Sequence, residues 1–174
     1  IYDFEYWAYS FIFIKDKVSP KDIPFKLNRA QRRVLNKLEK LRKAGKPIKF
    51  ILLKARQWGG STLVQIYMLW IMLVHRRNWN TVICGDVETQ SRNVRAMITK
   101  ALNKYPSYLL GETVKFTPFE GSSKNKVIQN TNCVVSIGSF QKPDTLRSGD
   151  ISGAHLTEIG LWRATPGNKP EDLI

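Results

Sequence analysis

Between Leu53 and Leu63 the chain reads Lys54-Ala55-Arg56-Gln57-Trp58-Gly59-Gly60-Ser61-Thr62, a run whose residue types suit an anion. A glycine-containing turn leading from an apolar strand into a helix aims backbone N–H groups and the helix dipole at one point. Against the phosphate-loop pattern G-x-x-x-x-G-K-[ST], Gly59 takes the sixth position and Ser61 the eighth, while Lys54 stands at the first and Gly60 at the seventh, normally lysine. Chemistry at a triphosphate requires a cation near the β- and γ-phosphates. Lys54 and Arg56 both lie in the loop, and the choice between them stays open. Ser61 is the candidate Mg²⁺ ligand. On its own, a loop with two glycines is also an ordinary turn.

A second constellation stands about a hundred residues downstream. Ala154-His155-Leu156-Thr157-Glu158 reads as a short apolar strand ending in an acid, the arrangement that aims a carboxylate at a water attacking a terminal phosphate. Glu158 is the only acid between Asp150 and Glu171, and Thr157 stands where an Asp commonly helps position the metal through water. The plainer alternative is a solvated glutamate at a strand end.

These residues need elements to hold them, and the sequence supplies candidates. Asn28 is a good helix N-cap, followed by Ala30, Val34, Leu35, Leu38 and Leu41 at helical spacing until Gly45 and Pro47 end the run. Ile48–Leu53 predicts a buried strand, Leu63–Val74 a buried helix, Thr81–Cys84 a second buried strand and residues 88–104 a second amphipathic helix. Lys126–Gln129 and Cys133–Ile137, separated by Asn130-Thr131-Asn132, predict a hairpin, and Gly153–Thr157 a last strand. Strands and helices alternating at these lengths predict an α/β sheet, parallel in part and covered on both faces. Residues 1–14, rich in Phe, Tyr and Trp, predict an element that packs on a neighbouring surface.

The balance of charge narrows the partners. Lys and Arg number 28 against 14 Asp and Glu, a net +14, which favours a polyanionic partner such as nucleic acid. Residues 26–54 carry eleven basic side chains against the single acid Glu39, so +10 of the total is concentrated there. The helix from Arg29 to Lys43 then either follows a DNA backbone or presents a solvated face. Cys84 and Cys133 sit inside apolar runs, which suits free thiols in a reducing compartment rather than a disulfide framework. Leu63–Val74 is far short of the roughly 20 apolar residues of a bilayer span, and His75 and His155 lack metal-ligand spacing. The start at Ile1, without a charged region leading into an apolar one, does not read as a signal peptide and suggests a fragment.

Taken together, the residues resemble the ATPase domain of the large terminase subunit of tailed bacteriophages, the motor that packages DNA into a procapsid. Arg56-Gln57-Trp58-Gly59-Gly60-Ser61-Thr62 is similar to that family's variant Walker A. Leu146-Arg147-Ser148-Gly149 followed by His155-Leu156-Thr157-Glu158-Ile159-Gly160-Leu161-Trp162 is similar to its Walker B region, with a small hydroxyl residue before the acid and an aromatic residue after it. Phe25-Lys26-Leu27-Asn28-Arg29-Ala30-Gln31 resembles its adenine-recognition segment.

The resemblance spans Phe25 to Trp162 and implies a P-loop NTPase of the additional-strand catalytic-Glu type, with a mostly parallel sheet and helices on both faces. It implies ATP and Mg²⁺ as cofactors, Ala55, Gln57 and Thr62 with the rest of the loop around the phosphates, Gln31 on the base edge, Ser61 and Thr157 at the metal and Glu158 as general base. Arg147 becomes either an arginine finger for a neighbouring subunit or a surface arginine paired with Asp144 or Asp150. Trp58 packs under the nucleotide or fills the sheet edge. The implied partners are double-stranded DNA, a homo-oligomeric ring on a portal protein and a small terminase subunit, in the cytoplasm of an infected bacterium and away from any membrane.

The expected organisation is an aromatic segment over 1–24 and a partial ATPase domain over 25–174. The strand that in this class separates Walker B from the loop strand, and the nuclease domain, are expected to be absent. A helicase-like nucleic-acid-dependent ATPase shares the same core, and a non-catalytic nucleic-acid-binding module whose loop holds a backbone phosphate is the alternative from another class.

Overall fold

The computed structural model describes residues 1–16, 18–53, 58–119, 122–141, 150–164 and 169. Among these residues, helices α1 (Phe4–Phe11), α2 (Arg29–Lys43), α3 (Gly60–Trp70) and α4 (Glu88–Asn103) accompany seven strands. A small hairpin pairs β1 (Phe13–Lys15) with β2 (Asp22–Pro24), and five strands form the main sheet. These are β3 (Asn80–Gly85), β4 (Phe116–Phe119), β5 (Ser122–Ile128), β6 (Cys133–Ser139) and β7 (Gly153–Leu156), in the order β4-β5-β6-β3-β7.

The centre of the sheet is parallel and its far side is not. β3 runs parallel to β6 on one flank and to β7 on the other, whereas β5 is antiparallel to both β4 and β6. The sheet is therefore mixed rather than mostly parallel. The reason is local: the turn at 129–132, where Asn132 takes φ 52°, is too short for anything but an antiparallel return. β3 is buried from Thr81 to Gly85, which explains its unbroken apolar run.

Side chains from all four helices enter one core with Ile83, Ile128, Cys133, Val135 and Ile137 on the same sheet face. The opposite face, expected to carry helices too, is covered among the described residues by Phe140 and Trp162, which lie over Val82 and Cys84. Their rings stack with centroids 4.8 Å apart and 8° between planes.

The aromatic segment at the start packs within the chain. Asp3 caps α1 by accepting the Tyr6 N–H at 2.8 Å, and the helix buries Phe4, Trp7 and Ala8. Phe4 meets Tyr67 and Trp70 edge-on, both at 5.5 Å, while the Trp7 indole N–H donates to the Tyr105 hydroxyl at 2.9 Å. α3 is apolar on nearly every side and is correspondingly buried, running into a π turn over Ile71–His75.

A further sequence expectation fails. Ile48–Leu53 is not a buried strand: among the described residues it pairs with no other strand, Ile51 is 99% exposed and Leu53 100%. Phe50 and Leu52 do pack on the core, so the alternation of a strand is present without a neighbour to pair with. An apolar run predicts a strand only where a sheet edge receives its backbone. Among the described residues β7 pairs on one side alone, with β3.

Candidate nucleotide site at the start of helix α3

The site is built from three pieces of chain: the start of α2, the loop entering α3, and the end of β7. At the first, Asn28 and Gln31 form a reciprocal capping box. Asn28 Oδ1 accepts the Gln31 backbone N–H and Gln31 Oε1 accepts the Asn28 backbone N–H, each at 2.9 Å. The two side chains also reach across to the loop. Asn28 Nδ2 donates to the Trp58 carbonyl at 3.0 Å, and Gln31 Nε2 donates to the Gly59 carbonyl at 3.0 Å. Helix α2 is thereby fastened to the loop by two amide side chains, with Gln31 only 4% exposed.

Gly59 is fixed by this contact. It sits at φ 82°, in the left-handed region, and a Cβ there would lie 2.7 Å from Gln31 Nε2. As the residue preceding α3 it offers no side-chain cap, so among the described residues the first N–H groups of that helix point to the space ahead of Gly60 without a capping side chain. Trp58 is half-buried against the core, and its Nε1 is buried with no partner among the described residues.

From the other side comes the end of β7. The Thr157 N–H donates to the Cys84 carbonyl at 2.9 Å, continuing the β3–β7 ladder by one residue. Thr157 shares the sheet face of His155 and Ile83, so its hydroxyl is aimed toward α3. Thr157 Oγ1 lies 3.3 Å from Ser61 Oγ, joining residues 96 apart in sequence. At 3.3 Å these hydroxyls are adjacent but longer than a strong O–H···O bond, which leaves both oxygens able to face a shared third partner.

Glu158 follows in the left-handed conformation, φ 60° and ψ 34°, which a glutamate rarely adopts. The turn beyond it is held by Leu161 N–H to Glu158 O at 2.9 Å and by burial of Trp162 on Phe140. Strain of this kind persists where the surroundings over-determine it. Burial beneath Phe140 and Trp162, on the opposite face of the sheet, pushes the Cys84 thiol up to about 11, so it remains protonated and unreactive.

Of the residues expected from sequence, the structure brings Gln31, Trp58, Gly59, Gly60, Ser61 and Thr62 to one side and Thr157 to meet Ser61, with Glu158 next along the chain. Lys54, Ala55, Arg56, Gln57 and Arg147 lie outside the described residues. The sequence marks Asn28 as a helix cap and as part of the adenine-recognition segment. Its further role, holding the Trp58 carbonyl, was signalled by the Asn-x-x-Gln spacing, which sets both side chains at the same helix end.

Ser61 and Thr157 are the two side-chain oxygens this site would offer a magnesium nucleotide. Glycine at 59 keeps the loop close to the α2 cap, an uncapped helix start faces the loop, and two hydroxyl oxygens meet beside it. In phosphate-loop enzymes a Ser or Thr hydroxyl of the loop takes Mg²⁺ beside the phosphate oxygens, and water fills much of the remaining shell. No group of three or more His, Cys, Asp or Glu able to hold a metal occurs among the described residues, and the hydroxyl pair is the arrangement this site offers instead.

Comparison with known proteins places the fold. No protein-family model and no curated protein sequence matches the chain. Among solved structures the chain has the fold of a phage large terminase. One structure it resembles is the crystal structure of the HK97 bacteriophage large terminase, with a TM-score of 0.66 and 20% sequence identity over 92% of the chain. The chain spans 31% of the length of that protein. No helix among the described residues is long and apolar enough to cross a membrane.

Proposed function

We propose that the chain is the ATP-hydrolysing motor domain of a phage large terminase, which drives double-stranded DNA into a procapsid. The observation that carries this reading is the meeting of Ser61 and Thr157 hydroxyls, 3.3 Å apart, at the uncapped start of α3 and one residue from Glu158. The terminase fold supports the same reading.

Each residue has a stated task. The backbone N–H groups from Gly59 to Thr62 hold phosphate oxygens, with the α3 dipole behind them. Lys54 or Arg56 supplies the cation that the loop lacks at Gly60, with Ala55 and Gln57 shaping the loop between them. Ser61 and Thr157 would hold Mg²⁺, which would neutralise charge on the phosphates as the terminal one is transferred. Glu158 orients the attacking water and takes its proton. Gln31 keeps one lone pair on Oε1 and one hydrogen on Nε2 after its two described bonds, the donor–acceptor pair that an adenine edge requires. Trp58 packs beneath the nucleotide, and Arg147 reaches the nucleotide of a neighbouring subunit in a ring seated on a portal protein, with a small terminase subunit and the host cytoplasm as setting.

The test is Mg²⁺-dependent binding of a fluorescent ATP analogue, with phosphate release measured alongside. The reading expects saturable binding by the full chain, lost in Lys54→Ala or Arg56→Ala according to which cation acts. Glu158→Gln should keep binding while phosphate release falls by about 100-fold or more. A folded chain that binds no nucleotide overturns the reading.

A further inference from the structure

We infer that the solvent face of helix α2 is a docking surface for the phosphate backbone of duplex DNA. The observation is a single-signed stripe. Arg29, Arg33, Lys37, Lys40 and Lys43 recur at spacings of three and four, are all exposed, and lie opposite the buried Gln31, Val34, Leu35 and Leu38. At 1.5 Å per residue the stripe runs about 21 Å. Arg29, Arg33, Lys37 and Lys40 have no carboxylate partner among the described residues.

The one acid on the helix touches the stripe only at its last residue, where Lys43 Nζ lies 4.0 Å from a Glu39 oxygen. Glu39 lies on the flank, where it accepts two bonds from the Arg42 guanidinium at 2.7 Å and one from the Tyr67 hydroxyl at 2.6 Å. Arg42 itself lies 5.1 Å over the Trp70 ring, so this pair belongs to the packing of α2 on α3. Folding therefore consumes the only negative charge of the helix and leaves a row of cations facing water. Such a row costs self-repulsion unless a polyanion covers it.

Charge and shape together choose the occupant. The stripe carries no aromatic side chain, which argues against single strands, whose bases need stacking platforms. A straight helix fits against the wide major groove of B-form DNA and its flanking phosphates. The deep, narrow major groove of A-form RNA excludes it. The capping box of the same helix holds the carbonyls of Trp58 and Gly59, so a duplex seated on α2 bears on an element that is fastened to the loop.

This inference deepens the motor reading and rests on it for the duplex as substrate, yet it is testable without nucleotide. Binding of a 20-base-pair fluorescent duplex to the full chain is measured by anisotropy over a series of salt concentrations. The triple variant Arg33→Gln, Lys37→Gln, Lys40→Gln is compared with a control that removes the same charge elsewhere, Arg92→Gln, Lys115→Gln, Lys126→Gln. Circular dichroism checks that both fold. The α2 variant is expected to bind about tenfold or more weakly, and its slope of log affinity against log salt to be shallower by about 2 to 3, with the control much less affected. Affinity for the ATP analogue should be unchanged.

Equal losses in the two variants, or no loss in the α2 variant, overturn the inference while leaving the nucleotide site standing. Equal or tighter binding of single-stranded DNA, duplex RNA or anionic vesicles to the same stripe overturns the choice of duplex DNA. A selective duplex loss in a chain that binds no nucleotide upholds the surface and removes the motor reading instead.

Discussion

Gln31 donates from Nε2 to the Gly59 carbonyl at 3.0 Å, and a Cβ at position 59 would fall 2.7 Å from that same nitrogen. The two residues, 28 apart in sequence, make the α2 cap and the loop before α3 a single unit. Gly59→Ala is therefore expected to add a clash to a left-handed backbone that alone costs about 1–2 kcal/mol in an L-residue. Gly45→Ala, at φ 65° with nothing within 4 Å of its Cβ, meets the backbone cost alone. Urea denaturation should show Gly59→Ala as the more destabilised of the two, and nucleotide affinity should fall only in Gly59→Ala. Equal losses of stability would argue against the clash.

The Glu39 cluster makes a prediction in pH. Burial alone would raise the Glu39 carboxyl, but hydrogen bonds from Arg42 and Tyr67 outweigh it and hold the group below its ordinary value of 4.5. A carboxyl depressed in the folded state stabilises the fold above its unfolded value, and that contribution disappears as pH falls through the folded value. Glu39→Gln should thus cost about 1–2 kcal/mol near neutrality. The gap between wild type and variant should close as pH falls below 4.5, a trend that denaturation midpoints across that range will reveal. A gap independent of pH would show that the charge of Glu39 is not what stabilises.

Glu158 carries backbone strain at the place where the reading puts chemistry. Because glycine accepts φ 60° without penalty, Glu158→Gly is expected to be about 0.5–1 kcal/mol more stable than wild type while losing hydrolysis. Calorimetric melting and phosphate release, taken on the same preparation, separate the two effects. A less stable variant would mean that the glutamate side chain itself holds the turn.

Much of this was legible from the sequence, and for stated reasons. Helical spacing and the Asn28 cap fixed α2, unbroken apolar runs marked α3 and β3, and the Asn130-Thr131-Asn132 triplet set the β5–β6 hairpin. The candidate site was visible as two motifs about a hundred residues apart, because a loop glycine and a strand-end acid are local signals. What stayed hidden was non-local. Whether Ile48–Leu53 pairs as a strand depends on a neighbour, and no local pattern reports one. The mixed sheet follows from β4 and β5, where Pro118 and a register shift blur the alternation. The tie from Gln31 to Gly59 joins two elements whose separate signatures, a cap and a turn, gave no hint of each other.

The account turns on whether Ser61 and Thr157 hold a metal for a bound triphosphate. The most direct measurement is isothermal titration of the full chain with ATP, in the presence and absence of Mg²⁺, for wild type, Ser61→Ala and Thr157→Val. The account predicts saturable binding at one site, tightened by Mg²⁺ in wild type, with that tightening largely lost in Ser61→Ala and reduced in Thr157→Val. ATP binding that ignores Mg²⁺ and both substitutions, or no binding by a folded chain, would contradict it.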